Sequence, residues 1–541
     1  MLDRVRRVVP AAHGVLTVAC AIAAVIWTVS SAAALSHTFD EPHHLATGIE
    51  WWQFGTYRWW TENPPLPKVV SALGPYLAGM RLPKTPAELG PRPWVPGIEL
   101  FNGGANYERT LMLARAGTLV FLLLTLALTY LLAGGRRRPF PAFVATALVA
   151  TYPPLLGHAG FVTTDVAAVA TVLLFLFALD RWSDFPSLGR AALLGSAFAL
   201  ASLCKLTAPF ACLALGLAWL YGRRWSRGTW ISGEKPRLGK LLGHAALAGA
   251  SALFVVWAGY RFSTGTLDGM PAASFMGTPV LPPAGQRSAL LSWLCRLPLL
   301  APEFWHGFFF LEAHSAHGHP AFLLGKISEH GFWDFFLVGL LLKSPLPFLA
   351  LFGLSLTRLF RRAGRSSLGS AGLGSALAAG GALALSTVIT VNIGFRHVLI
   401  VVPLLAIFIA NAVAPWIAGL AARRQVIAGT ILVLLLAADA ASVEAARPEL
   451  MAYFNPLAGR EPGHALIDSD LDWGQDFLIL KSALRARAIA SLHYGFFGTM
   501  DPCGPDLPTL LPLKPGQPVT GWVVLSEQFY RSNFFLTLQR E

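Results

Sequence analysis

Long runs of apolar residues recur along the chain, and short polar stretches separate them. A helical run of about 20 apolar residues spans the roughly 30 Å hydrocarbon core of a bilayer. The pattern therefore predicts about eleven transmembrane helices. They are expected at 12–35, 111–134, 140–157, 166–180, 190–204, 206–222, 241–260, 335–357, 370–391, 397–414 and 425–442.

The composition agrees with this pattern. Of the 541 residues, 54% are hydrophobic and 13% are charged, and the mean hydropathy is +0.54. Soluble domains carry roughly a quarter charged residues. A chain this apolar cannot cover itself with polar surface in water, so we predict an all-α polytopic membrane protein.

The net charge of +13 is unevenly distributed. Lys and Arg cluster in every second connection between the predicted helices, which is typical of cytoplasmic loops. The charge is therefore a topology signal, and no nucleic-acid partner is expected. The pattern predicts a multi-pass plasma (inner) membrane protein with a cytoplasmic N-terminus and an extracytoplasmic C-terminus. The basic clusters are Arg4 to Arg7, Arg136 to Arg138, Arg181 with Arg190, 223–240, 358–365, and Arg423 with Arg424.

Three long segments fall on the predicted outer side, at about 36–110, 261–334 and 443–541. Residues 1–442 are predicted to form one membrane body, with the first two segments as its outer loops. The last segment mixes strand-like and helical runs, which predicts a small extracytoplasmic α/β domain without a catalytic role of its own. No internal repeat of fixed period is visible, which disfavours common transporter folds.

Carboxylates at the predicted outer face are the first candidates for chemistry. Asp40 and Glu41 follow the first predicted helix, and Asp165 precedes the fourth. The simplest interpretation of Asp40 and of Asp165 is a helix N-cap. The alternative for Asp40 is a general base, which takes the proton of an attacking hydroxyl as an anomeric carbon reacts. The two roles are compatible, because capping would fix the side chain.

Cations at the outer face are more diagnostic, since the positive-inside bias disfavours them there. Lys205 lies between the fifth and sixth predicted helices, Arg396 between the ninth and tenth, and Lys343 inside the eighth. Each side chain could simply snorkel towards the membrane surface. The alternative is a site for a lipid phosphate, whose negative charge needs preorganised cations.

The second outer segment is rich in histidine, which leaves a metal site open. The spacing of these residues matches no zinc signature. The five cysteines are scattered and predict neither a disulfide framework nor a metal site. The sequence thus leaves a divalent cation open and identifies no other cofactor, and it contains no nucleotide-binding glycine-rich motif. The residues of this region are His306, His314, His317, His319 and His330, with Glu303 and Glu312.

A series of motifs runs along residues 12 to 480, in the order DEPHH, ENPPLPK, HAGFVTTD, LCKLTAP, GHPAFLLG, LLLKSP, NIGFRH and DSDLDWGQD. Taken together, they resemble the membrane glycosyltransferases of family 39, which include protein O-mannosyltransferases and the aminoarabinose transferase of lipid A. The resemblance implies a C-type glycosyltransferase fold, a polyprenyl-phosphate-linked sugar as donor, and inversion at the anomeric carbon.

The resemblance also implies roles for individual residues. Asp40 would be the catalytic carboxylate, Glu41 its support and Asp165 a second acid in the cavity. Glu62 stands where the aminoarabinose enzyme has a cavity glutamate. A lysine follows that glutamate in the aminoarabinose enzyme, whereas Asn63 follows here, so Lys205 and Arg396 become the main candidates for binding the phosphate. The remaining predicted substrate-binding residues are Lys68, His319 and Lys343.

The sequence thus predicts transfer of a monosaccharide from a polyprenyl-phosphate carrier to a hydroxyl or amine at the outer face. The acceptor class, which is protein, lipid or glycan, stays open, and membrane lipids are the other expected partners. The alternative is a transporter or flippase for lipid-linked sugars. A transporter would place its ionisable residues near the membrane midplane. A non-catalytic assembly subunit would need no converging acids and cations.

Overall fold

The computed structural model describes residues 2–102, 106–228, 237–487, 489–500, 507–513 and 518–531. Within these ranges the protein is a bundle of helices, with the three long segments packed at one end of it. We call this end the loop end and the other the far end. Helix α10 runs from the loop end, at Asp165, to the far end, at Asp184.

Every secondary-structure element described in the first half of the chain is a helix. Its helices are α1 (Leu2–Ala34), α2 (Glu41–Phe54), α3 (Leu66–Leu77), α4 (Pro86–Leu89), α5 (Trp94–Asn102), α6 (Tyr107–Ala116), α7 (Leu119–Ala133), α8 (Pro139–Ala150), α9 (Pro153–Ala159), α10 (Asp165–Asp184), α11 (Leu188–Ser202), α12 (Ala208–Arg227) and α13 (Leu238–Gly259). Helices α2 to α5 form the first loop-end segment.

The second loop-end segment carries three short antiparallel strand pairs, β1 with β4, β2 with β3 and β5 with β6. Its elements are β1 (Thr264–Gly265), β2 (Ser274–Phe275), β3 (Thr278–Pro279), α14 (Ala289–Arg296), β4 (Leu299–Leu300), α15 (Pro302–His317), β5 (Ala321–Leu323) and β6 (Lys326–Ser328). The bundle then continues with α16 (Phe335–Lys343), α17 (Leu346–Phe360), α18 (Arg362–Ser386), α19 (Val401–Ala418) and α20 (Ala422–Ala446).

The described residues contain seven helices long and apolar enough to cross a membrane, or nine if two bent pairs are counted as one span each. The pairs are α8 with α9, bent by 69°, and α16 with α17, bent by 116°. The multi-pass class is therefore confirmed, but the count of eleven is not. The other two predicted spans fall on Leu188–Ser202, which is a shorter apolar helix, and on Ala208–Arg227, which carries three arginines near its end.

Small residues allow the bundle helices to approach closely, as membrane helices do. A side chain at Gly222 of α12 would overlap the backbone of Gly374 in α18. The Ala/Gly/Ser run at 366–381 predicts a helix interface, and two of its glycines, Gly374 and Gly381, lie against Trp219 and Ala218 of α12. Helix α19 is the most enclosed span, with 83% of its apolar window buried. It carries the turn that holds Arg396 at its loop end.

The tail has the predicted mixed character. It contains α21 (Phe477–Ala486), β7 (Ser491–Gly495), β8 (Thr509–Pro512), β9 (Val523–Leu525) and α22 (Glu527–Arg531). The strands form a parallel sheet in the order β8-β7-β9. However, the residues between α20 and α21 do not belong to this small unit. They pack into the loop end of the bundle, where Ser469, Asp470 and Trp473 are buried.

Candidate functional site

Asp40 is held at the loop end by the chain that leaves α1. It directly precedes α2, whose first turn contains Glu41 and Pro42. An acid and a proline are both favourable in a first turn. Asp40 occupies the N-cap position of α2, but its side chain makes no capping hydrogen bond. Its carboxylate is 25% exposed and faces Arg396.

Glu41, by contrast, is fully occupied. Arg115 donates Nε to Oε1 at 2.9 Å and Nη2 to Oε2 at 2.7 Å. The amides of Val162 and Thr38 donate one further bond to each oxygen. Burial alone would raise the pKa of Glu41, but the Arg115 charge and these hydrogen bonds hold it below its ordinary value. Glu41 therefore ties α1, α2 and α6 together beside Asp40.

The second acid, Asp165, is the first residue of α10, and the N-cap position is occupied by Thr164. Its Oδ1 pairs with Lys205 Nζ at 2.7 Å. Lys205 lies in the turn between α11 and α12, and its side chain is 21% exposed. The N-cap interpretation of Asp165 is thus wrong, and so is simple snorkelling of Lys205. Instead, the two side chains form an ion pair in which Lys205 stays partly exposed and Asp165 is buried.

Arg396 lies between the two acids. Its Nη1 is 3.6 Å from Asp40 Oδ2 and 3.5 Å from Asp165 Oδ2. The Arg396 side chain is only 9% exposed, and its guanidinium carbon lies 3.9 Å from the ring centre of Trp473. Charge-assisted hydrogen bonds are normally about 2.7–2.9 Å long. Arg396 is therefore near both acids without a short hydrogen bond to either, and it retains donor capacity.

Burial raises the pKa of Asp40 to about 6, and the positive charge of Arg396 opposes the rise. The negative charges of Glu62, Asp468 and Asp165 act in the same direction as burial. Asp40 thus sits where four carboxylates converge. A carboxylate with a pKa this close to neutrality is suited to take up a proton at physiological pH.

Glu62 lies against α15. Its Oε1 is 2.8 Å from His314 Nδ1, and its Oε2 accepts a bond from the Trp60 indole at 2.9 Å. His319 is near the same histidine, with ring centres 5.9 Å apart, and contacts its neighbouring Pro320 carbonyl oxygen. Glu62 and His319 therefore both lie next to His314, near the end of α15.

Lys68 and Lys343 are both buried. Within the described part of the chain, Lys68 Nζ has no hydrogen-bond partner, and burial lowers its pKa to about 7. Lys343 ends α16 at the 116° bend. It donates to the carbonyl oxygens of Met451 at 2.8 Å and Asp470 at 2.5 Å. Lys343 thus neither snorkels nor points into the cavity, so its predicted substrate contact has no support in this geometry.

The histidine-rich segment does not converge on one point. His306 bonds to Thr61, whereas His314 bonds to Glu62 and stacks on Phe275. Among the described residues, no group of three or more His, Cys, Asp or Glu side chains is placed to hold a metal ion. The four cysteines among the described residues are free, and Cys503 lies outside those residues.

Three residues of the site were missed at the level of sequence. Trp473 and Asp470 come from the tail, which was predicted to stand apart. His397 follows Arg396 and is buried, and burial together with the charges of Lys205 and Arg396 holds its pKa well below the usual range. The only available signal was the density of acids in DSDLDWGQD, because an acidic run in an otherwise apolar chain is unusual.

Comparison with known proteins gives distant structural similarity only. No family profile and no curated protein sequence matches the chain. Its structure is similar to ArnT from Cupriavidus metallidurans bound to undecaprenyl phosphate, with a TM-score of 0.45 and 16% identity over 81% of this chain and 72% of that one. The apo form of that protein gives a TM-score of 0.46 and 15% identity over the same shares.

The Archaeoglobus fulgidus oligosaccharyltransferase in the apo form is also similar, with a TM-score of 0.40 and 14% identity over 79% of this chain and 56% of that one. Similarity this distant does not extend to individual residues or to the reaction. The functional conclusion therefore depends on the side chains of this chain.

Proposed function

We propose that the protein transfers a monosaccharide from a polyprenyl-phosphate carrier to an acceptor hydroxyl or amine, with inversion at the anomeric carbon. The main observation in support is that Arg396 lies between Asp40 and Asp165, and that Lys205 pairs with the other carboxylate oxygen of Asp165. A base and two cations then meet at the loop end of a membrane bundle. A lipid-anchored phosphate can enter such a site from the bilayer.

In the proposed step, Asp40 accepts the proton of the acceptor group. The acceptor oxygen or nitrogen forms a bond to the anomeric carbon as the bond between that carbon and the phosphate oxygen breaks. The electron pair of the broken bond stays with the carrier phosphate. Lys205 and Arg396 stabilise this charge, since cations aimed at a developing anion lower the barrier more than they strengthen ground-state binding.

The loose contacts of Arg396 support this assignment. At 3.5 and 3.6 Å its donors are held near the acids but are not consumed by them. An incoming phosphate could accept these donors and one from Lys205, whose side chain is partly exposed. Asp165 would then hold the two cations together, and Glu41 would fix the start of α2. Glu62 and His319 would line the sugar side of the cavity.

The proposal is tested by substituting Asp40. Asp40→Asn is nearly isosteric but removes the basic carboxylate, and loss of a general base typically costs on the order of 10²- to 10⁴-fold in rate. The measurement is the initial rate of radiolabelled sugar transfer from a polyprenyl-phosphate donor in purified membranes. Abundance and donor binding should stay normal.

Asp268→Asn is the matched control. Asp268 is a loop-end aspartate, 39% exposed and paired with Arg287, so its substitution should leave transfer unchanged. Asp40→Asn activity within about twofold of wild type would exclude Asp40 as the base. Sugar flux across the membrane, with no transfer product in either variant, would instead indicate a transporter.

A further inference from the structure

The turn that carries Arg396 is built against a segment of the tail, residues 468–475. Both carboxylate oxygens of Asp470 accept the Phe395 amide, at 3.0 and 3.1 Å. Ser469 Oγ donates to the Ile393 carbonyl oxygen at 2.5 Å. Gly394 has φ +152°, and a side chain there would overlap the Ser469 hydroxyl. The backbone on both sides of Gly394 is thus fixed by the tail segment.

The same segment sets the plane of the guanidinium group. Trp473 is 2% exposed, and its ring lies 3.9 Å from the Arg396 guanidinium carbon. A cation stacked on a buried indole is stabilised by the ring electrons. With the ring immobilised by burial, the Arg396 guanidinium group is held beside Asp40 and Asp165.

The approach to Asp40 is held by the neighbouring backbone of this segment. The Phe39 amide donates to the Trp473 carbonyl oxygen, and the Ser36 amide to that of Gln475, both at 2.9 Å. The Ser36 hydroxyl adds a bond to Gln475 at 2.7 Å. These bonds pair the chain before Asp40 with the tail segment. Asp40 and Arg396 are therefore held by one eight-residue stretch.

The buried side chain of Lys343 also holds this stretch in place. Its ammonium donates to the Asp470 carbonyl oxygen at 2.5 Å and to that of Met451 at 2.8 Å. A buried charge held by such bonds is costly to displace. The lysine predicted to contact substrate thus supports the segment that holds the site, which explains why it lies inside the bundle.

We propose that residues 468–475 position Arg396 and Asp40 for the reaction, with Trp473 and Asp470 as the positioning residues. This inference rests on the proposed function. The tail is then part of the active site, although its small sheet lies outside it. Because Trp473 orients a group that acts in the transition state, its loss should lower kcat more than it raises the donor KM.

The test uses the full chain in membranes, with Trp473→Leu, Arg396→Gln and the double variant. Trp473→Leu should lower kcat on the order of tenfold, with the donor KM within about twofold. In the Arg396→Gln background it should have little further effect, since the two residues act as a unit. Trp473→Phe keeps a ring and should recover most of the rate. Trp522→Leu, an exposed tail tryptophan, is the control and should match wild type.

A second measurement does not depend on activity. Asp470→Ala removes the acceptor of the Phe395 amide, so amide hydrogen exchange in a peptide covering 393–398 should accelerate, while a peptide from α10 stays unchanged. Additive losses in the Trp473 and Arg396 variants, or unchanged exchange in Asp470→Ala, would overturn the inference. Wild-type membranes without any transfer would refute the proposed function, and the exchange result would still decide whether the tail holds the turn.

Discussion

Helix α10 carries aspartates at both ends, and the two ends treat them differently. At the far end, Asp180 and Asp184 receive Arg223 at 2.5 and 2.7 Å, and Arg227 adds a bond of 2.5 Å to Asp184. At the loop end, Asp165 has one short bond, to Lys205, and Arg396 stays at 3.5 Å. Asp165 and Asp184 lie about 28 Å apart along the helix axis.

The difference separates structural charge from functional charge. At the far end, both terminal nitrogens of Arg223 and one of Arg227 are bonded to the acids, although Arg223 Nε has no hydrogen-bond partner among the described residues. At the loop end, Arg396 stays at 3.6 and 3.5 Å from Asp40 and Asp165, and Asp165 Oδ2 has no hydrogen-bond partner within the part of the chain that is described. Buried polar groups left this way are costly, and they persist where a ligand completes them. The Glu41–Arg115 pair shows that a satisfied ion pair also exists a few residues from Asp40.

The comparison predicts the largest effect at the far end, on stability. Arg223→Met keeps the volume of a side chain that is 1% exposed but leaves two aspartates without their main partner. Breaking a buried ion pair in this way typically costs about 3–5 kcal/mol. Denaturant unfolding in detergent should show this loss, whereas transfer per folded molecule should stay unchanged.

Arg224→Met is its control, because Arg224 is exposed and, among the described residues, donates to one backbone oxygen, that of Gly228. Its effect should stay within about 0.5 kcal/mol. If Arg223→Met lowered transfer but not stability, the separation of structural and functional ends would be wrong.

The loop end should respond in the opposite sense. Arg396→Gln removes a cation from the proposed phosphate site, and loss of one preorganised donor typically costs about 10²- to 10³-fold in kcat. Because its ion pairs are long, the unfolding free energy should change by no more than about 1 kcal/mol. Transfer kinetics and unfolding on the same preparation test both statements. Arg447→Gln, an exposed arginine paired with Glu444, should change neither.

Much of the loop-end chemistry could be predicted from sequence, because charge is rare in an apolar chain. Asp40, Asp165, Lys205 and Arg396 stand out for this reason, and the structure brings all four together. The polytopic class follows from the same contrast. The number of spans does not, because bends follow Ala150 and Lys343, α11 is short, and α12 carries three arginines near its end.

Pairing over long separations could not be predicted. Glu41 has no local signal for Arg115, which is 74 residues away, and its role as a support is filled by that bond. Lys343 looked like a membrane cation, but its partners are backbone oxygens more than 100 residues later. Trp473 appeared to belong to a separate tail. In each case the role of the residue depends on a tertiary contact, and the local composition does not indicate that contact.

The smallest predicted effect is on the pH dependence of transfer, and it sharpens the assignment of Asp40. The base must be ionised, and burial raises the pKa of Asp40 to about 6. Protonation below that pH removes the active form, so kcat/KM should be level above pH 7 and roughly tenfold lower at pH 5. In Trp473→Leu the fall in rate should begin at a higher pH. Arg396 lowers the pKa of Asp40, and without Trp473 it is no longer held beside Asp40, so this pKa should rise. Rates measured from pH 5 to 8 in membranes check both points. A profile that stays flat to pH 5 would mean that the base is ionised throughout, and Asp40 would then not be the buried carboxylate that accepts the proton.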